Sequence, residues 1–213
     1  MPDHSRSLHS RTAKVWKRIG VHRRAGVLAP LFSVWSEESV GVGEIPDLAA
    51  LADWCLDCRM SLIQLLPLND VGGRFCPYDA ESSFALEPMH LALGGLTEVP
   101  AKKYAAEISA LRKRFPMNTA RFDTRVKGEK MTLLRSIYLD RPKKRSKLFE
   151  AYRRENRFWL GSYALFKALK LQYGQRAWQD WPEPLKSREK KAIADVQNES
   201  REEIEFQEWV QWQ

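Results

Sequence analysis

Residues 65–88 read LLPLNDVGGRFCPYDAESSFALEP, and they gather most of the side chains that could do chemistry. Asp70, Asp79, Glu81 and Glu87 are close enough in sequence to suggest an acid–base pair. A catalytic pair needs opposed placement across a bond, with one pKa raised by burial. Loop acids beside Gly72, Gly73 and Arg74 are expected to be solvated or ion-paired instead, so no catalytic residue is assigned here. Cys55 and Cys58 form a lone CxxC late in an apolar-periodic stretch. A zinc site wants about four such ligands, and a redox pair usually sits at a helix N-terminus. The two cysteines therefore read as core-facing thiols, and no metal or cofactor is assigned. Gly41 and Gly43 lack the third glycine of a dinucleotide fingerprint and do not run straight from strand to helix.

The chain has 213 residues, 44% of them hydrophobic, and a formal net charge of +8. That is an ordinary globular composition with enough apolar residues for a core. No window approaches the ~18 uninterrupted apolar residues of a membrane helix. The N-terminal MPDHSRSLHSRTAKVWKRIGVHRR has no apolar segment of the secretory kind. It reads as a basic tail over 1–22, with an acid-poor organellar transit segment as the alternative. Three cysteines, an odd number, point to a reducing compartment, hence a cytoplasmic location with no membrane partner. Positive charge concentrates in the tail, in 141–147 and in 186–191. These are expected to be solvated faces, although net charge alone keeps nucleic-acid binding as an alternative.

The elements that must position the loop follow from periodicity. AGVLAPLFS (25–33) reads as a buried strand. Pro46 and Asp47 open a helix, with proline in its first turn and an acid at its positive end. Leu48, Leu51, Ala52 and Cys55 repeat at helical spacing and give it one buried face. Residues 62–66 form a second apolar run, stopped by Pro67. Strand, helix, strand with short connections is a βαβ unit with parallel strands. The loops at 34–46 and 67–88 must then leave the sheet on one edge, where α/β folds bind ligands. From about residue 100 the pattern is helical only, with candidates at 101–114, 127–139, 146–174, 187–197 and 200–213. The aromatics of this region are read as core. The final EIEFQEWVQWQ is amphipathic and carries two tryptophans in its last five residues, which predicts a chain that continues beyond Gln213.

In order, RRAGVLAPLFSV, GVGEIPDLAALADW, SLIQLLPLND and CPYDAESSFALEPMHLAL resemble the opening blocks of the amylomaltases, or 4-alpha-glucanotransferases. Their pattern runs G-x-L-x-P-L-x-S, G-x-G-D-L-G, W-Q-x-L-P-L, then S-P-Y-x-S-x-S-A-F-A-x-N-P. KKYAAEISALRKR, KMTLLRSIY, FWLGSYALFKALK, AWQDWPEPLKSR and IEFQEWVQWQ continue the resemblance to the end of the chain. It implies an α/β fold: a partial (β/α)8 TIM barrel, represented by its first two strands, with a large helical insertion subdomain. The implied organisation is a basic tail (1–22), a βαβ part with active-site loops (23–100), and a helical subdomain (101–213) leading to a third strand.

The resemblance also implies transfer of α-1,4-glucan segments between maltooligosaccharides or glucans by a retaining double displacement. In the family an Asp nucleophile, a Glu acid/base and a further Asp, all beyond the matched region, do the chemistry. Retaining enzymes of this type hold two carboxyls about 5–5.5 Å apart. This chain is expected to supply substrate contact: Tyr78 stacking on a sugar ring, with Cys76, Asp79 and Ser82 beside it. Several positions depart from the pattern. Cys76 replaces a serine, so a hydroxyl becomes a weak donor, Glu87 replaces an asparagine, Pro46 a glycine and Ile63 a tryptophan. A non-catalytic glucan-binding protein is the alternative within the same resemblance.

Overall fold

The computed structural model describes residues 8–119, 121, 123–142 and 146–213. The first seven residues of the basic tail and residues 143–145 of the basic 141–147 cluster lie outside them. The described part of the tail contains helix α1 (Ala13–Ile19), which buries none of its residues.

Strands β1 (Gly26–Leu28) and β2 (Leu62–Gln64) flank helix α2 (Asp47–Asp57) and pair in parallel, Val27 opposite Ile63. The βαβ reading holds, but the strands are shorter than the apolar runs. Pro30 ends β1, because it has no N–H to continue the ladder, and Leu31–Ser33 turns into a 3-10 helix. The expected burial also fails for the strands: Leu28 is 60% and Leu62 49% exposed. A two-stranded sheet has no layer on either face at those positions.

Helix α2 starts where Pro46 and Asp47 predict. Of its expected buried face only Cys55 is fully enclosed, with Leu48, Leu51 and Ala52 half-buried. Cys58 is exposed, which corrects the reading of two core-facing thiols. A maleimide is expected to label Cys58 and Cys76 in the native protein and Cys55 only after denaturant is added. Mass spectrometry of the labelled peptides checks this.

The remaining elements are helical: α3 (Ala105–Arg114), α4 (Arg125–Asp140), α5 (Lys147–Glu155), α6 (Leu160–Gln172), α7 (Glu183–Lys186), α8 (Lys190–Glu199) and α9 (Arg201–Trp212). The single helix expected over 146–174 is two. Asn156 ends α5, its side-chain amide donating to the Tyr152 carbonyl, and its carboxamide oxygen accepts from the Trp159 indole. Helix α9 packs along α6 and α4. Phe206 and Trp209 close on Tyr138 at ring separations of 5.3 and 5.6 Å, and Trp212 lies 5.3 Å from Phe149. The aromatics of EIEFQEWVQWQ thus pack against this chain's own helices. The main core joins Val40 and Val42, after β1, to Ile108, Phe115, Val126, Leu134 and Phe206. Two aromatics read as core, Phe158 and Trp178, are exposed instead.

Candidate functional site

The loop after β1 meets the segment that directly follows the 67–88 loop. The Ile45 N–H donates to the His90 carbonyl at 2.9 Å, and His90 Nδ1 lies 2.7 Å from the Gly43 carbonyl oxygen. A carbonyl accepts only, so Nδ1 carries the proton. Burial, the largest cause, lowers the His90 pKa to about 4; the bond to Gly43 opposes it and the charges of Lys130 and Lys127 reinforce it. Nearby, Lys130 is fully buried, with Nζ 2.6 Å from the Glu44 carboxylate and 2.7 Å from the Met89 carbonyl. Asp47 gathers the rest of the first loop, accepting from the Ser36 and Ser39 hydroxyls and the Glu44 N–H.

The loop after β2 closes on itself through antiparallel pairing of Asn69 with Leu86. Inside this closure lies Asp70, fully buried. Oδ1 accepts from the Gly72 N–H at 2.9 Å, and Oδ2 accepts from the Tyr163 hydroxyl at 2.7 Å. Lys127 of α4 and Lys167 of α6 stand 3.3 and 2.8 Å from the carboxylate. Burial alone would raise the Asp70 pKa, but the two lysines and the Tyr163 hydroxyl outweigh it and hold the group well below the usual carboxylate range. Glu87 shares Lys127 at 2.8 Å and accepts from the Val71 and Met89 N–H groups. It is a structural acid whose pKa burial raises, with Lys127 opposing. Glu81 pairs with Lys167 at 3.0 Å and Lys170 at 3.2 Å. Gly72 adopts φ +62°, which favours glycine, and a Cβ there would come within 2.3 Å of the Glu81 carboxylate, so that side chain would have to shift.

Beyond these ties the loop turns outward. The Asp79 N–H donates to the Cys76 carbonyl at 3.0 Å, closing a four-residue turn with Pro77 in its second position, where proline's fixed φ fits. The turn lifts Tyr78 to 73% exposure and leaves the Cys76 thiol exposed beside it. Asp79 pairs with Arg74 at 2.5 Å across the open face of the loop. Ser82 is set apart from them: its hydroxyl oxygen accepts from the Phe84 and Ala85 N–H groups, a turn of the loop itself. Tyr78, Cys76 and Asp79 thus share one turn, whereas Ser82 serves the loop backbone. The four acids of the loop are ion-paired, as expected; Asp70 and Glu87 are also buried, which the sequence reading did not anticipate.

Lys127 and Lys167, central to the site, carry no signal that singles them out in the sequence, whereas Tyr163 belongs to the helical aromatics read as core and is buried. A signal existed in one related case. Val126, Lys130, Leu134 and Ile137 recur on one face of α4, so Lys130 occupies an apolar-stripe position.

A sequence model described as 4-alpha-glucanotransferase matches residues 29–213. The chain belongs to the 4-alpha-glucanotransferase family. It is 32% identical over 208 residues to the 4-alpha-glucanotransferase of Chlamydia pneumoniae, an alignment covering 96% of this chain and 39% of that protein. It is 36% identical over 151 residues to 4-alpha-glucanotransferase DPE2 of Oryza sativa subsp. japonica, covering 68% of this chain and 16% of that one. The chain therefore spans well under half the length of these curated relatives. Among solved structures, the amylomaltase from Streptococcus agalactiae in complex with acarbose superposes with a TM-score of 0.68 at 20% identity, over 89% of this chain and 38% of that one. Amylomaltase from Corynebacterium glutamicum gives 0.66 at 18% identity. At these identities the likeness establishes a shared fold. Among the described residues no helix is long and apolar enough to cross a membrane.

Proposed function

We propose that this chain forms the substrate-contacting amino-terminal part of a 4-alpha-glucanotransferase. The whole protein transfers α-1,4-glucan segments between maltooligosaccharides in the cytoplasm by retaining double displacement, with a sugar hydroxyl as acceptor in place of water. Its parts are a basic tail (1–22), the first βαβ unit of a (β/α)8 barrel (23–100) and a helical subdomain (101–213). The observation that carries the reading is Tyr78. It is presented at 73% exposure on a proline-stiffened turn of the loop that follows β2. An exposed, rigidly placed aromatic ring suits the apolar face of a pyranose. Cys76 and Asp79 flank that ring as polar neighbours, with Ser82 further along the loop.

The chain's own loop acids do not form the reacting pair. Asp70 and Glu87 are enclosed, and Glu81 and Asp79 are ion-paired. The purified chain is therefore expected to bind maltoheptaose or acarbose saturably while releasing no glucose from maltotriose. Tyr78→Ala is expected to weaken that binding about tenfold. Its melting temperature should stay unchanged, because an exposed ring contributes little to folding. Calorimetric titration and a glucose assay check both. Glucose release by the isolated chain, or affinity unmoved in Tyr78→Ala, sinks the reading.

A further inference from the structure

We propose that Asp70 is the positioning residue of the Tyr78 turn, a buried anionic pin by which the helices α4 and α6 set the orientation of the sugar-contacting ring. This rests on the function proposed above and specifies how that site is held. Apolar burial holds the loop on either side of its glycines, through buried Val71 and through Phe75, which packs against the main core. A half-open cavity of about 600 Å³ lies between the loop and α4, α6 and α9, with Gly72, Gly73 and Phe75 on the loop side. Gly72 and Gly73 carry no side chain, so apolar burial does not fix the backbone at those two positions.

What fixes it is charge. Asp70, Glu81 and Glu87 on the loop face Lys127, Lys167 and Lys170 on the helices, three charges against three. Lys127 also donates to the Gly72 carbonyl at 2.5 Å, so one ammonium grips both the pin and the loop backbone two residues later. Asp70 is where the two helices converge: Lys127 comes from α4, Lys167 and Tyr163 from α6. Charge-assisted bonds are short and directional, and they specify one geometry where apolar contact would tolerate several. Displacing either helix displaces the root of the turn, eight residues before Tyr78 in the sequence.

Asp70→Asn tests this without stranding a lysine, since Lys127 keeps Glu87 and Lys167 keeps Glu81. In the 213-residue chain we expect maltoheptaose binding to weaken about tenfold, the size of one lost charge-assisted bond. Because the pin acts through the tyrosine, Asp70→Asn combined with Tyr78→Ala should bind no more weakly than Tyr78→Ala alone, a non-additivity that a general loss of stability would not produce. Hydrogen exchange should accelerate about tenfold at the amides of 72–79, with those of α4 and α6 unchanged. If Asp70→Asn lowers the melting temperature appreciably, Tyr163→Phe, which removes a single donor to the pin, replaces it in the same cycle. Wild-type affinity in Asp70→Asn, additive losses in the double variant, or unchanged exchange at 72–79 would each overturn the proposal while leaving the role of Tyr78 intact. Failure of the unaltered chain to bind maltoheptaose overturns the functional reading itself, and the sugar-positioning role with it.

Discussion

Lys130→Met is expected to destabilise the protein by about 3–5 kcal/mol at neutral pH, the usual penalty for removing one partner of a buried ion pair. The ammonium is fully enclosed, and its two close partners are the Glu44 carboxylate and the Met89 carbonyl. Methionine fills most of the volume but donates nothing. Glu44, itself buried, is left with the Val40 N–H at 3.3 Å as its remaining bond. Burial already raises the Glu44 pKa against the pull of Lys130, so without the lysine the carboxyl takes up a proton more readily and the penalty shrinks as pH falls. Combining Lys130→Met with Glu44→Gln should recover much of the loss, because no uncompensated charge then remains in the interior. Guanidinium unfolding of the three variants measures this. A single-variant loss below about 1 kcal/mol would mean that water reaches the pair, as it does for surface ion pairs.

Acid should destabilise the fold through His90. The folded-state pKa of about 4 lies below the ordinary value of 6.5. Between those values the unfolded chain binds a proton that the folded chain refuses, so stability present above pH 6.5 is lost as pH falls toward 4. A shift of this size corresponds to about 3 kcal/mol. The neutral ring donates to the Gly43 carbonyl at 2.7 Å, and the Gly43 N–H donates in turn to the Phe32 carbonyl at 3.4 Å. Protonation therefore loads a charge onto the seam between the two loops. His90→Asn keeps a donor near the Nδ1 position without the titration, and its stability should lack the histidine's share of the loss over the same window. Subtracting its curve from the wild-type curve isolates the histidine. Parallel curves for the two proteins would refute the assignment.

Much of this organisation was legible in the sequence, and the part that was not has a common cause. The strand–helix–strand unit, its parallel pairing and the start of α2 at Pro46–Asp47 follow from local patterns that the structure keeps. The exposed turn around Tyr78 follows from Pro77 and the order of family motifs. Burial was harder to read, since Leu28 and Leu62 are apolar yet exposed, and Asp70 and Lys130 are charged yet enclosed. Whether a charge is buried depends on the partner it meets. Asp70 meets Tyr163 across 93 residues and Lys130 meets Glu44 across 86. No local periodicity encodes such a pairing. The division of 146–174 into two helices depends likewise on Asn156 capping one helix while holding Trp159 for the next.

One contact at the far end of the chain has a bearing on how the protein is made. The Gln211 side-chain amide accepts from the Leu86 N–H and donates to the Leu86 carbonyl, both at 2.9 Å, filling the place of a neighbouring strand beside the closing pair of the Tyr78 loop. Gln213 does the same in part for the Thr97 N–H at 2.6 Å. These bonds span 125 and 116 residues. A chain emerging from the ribosome at about 5–20 residues per second completes its early segments well before such partners exist. The edge at Leu86 accordingly stays open to water, to chaperones and to other nascent strands until residue 211 has been synthesised and α9 has docked. Contacts of such long reach slow folding, so the docking of α9 sets the moment at which the Tyr78 loop becomes complete.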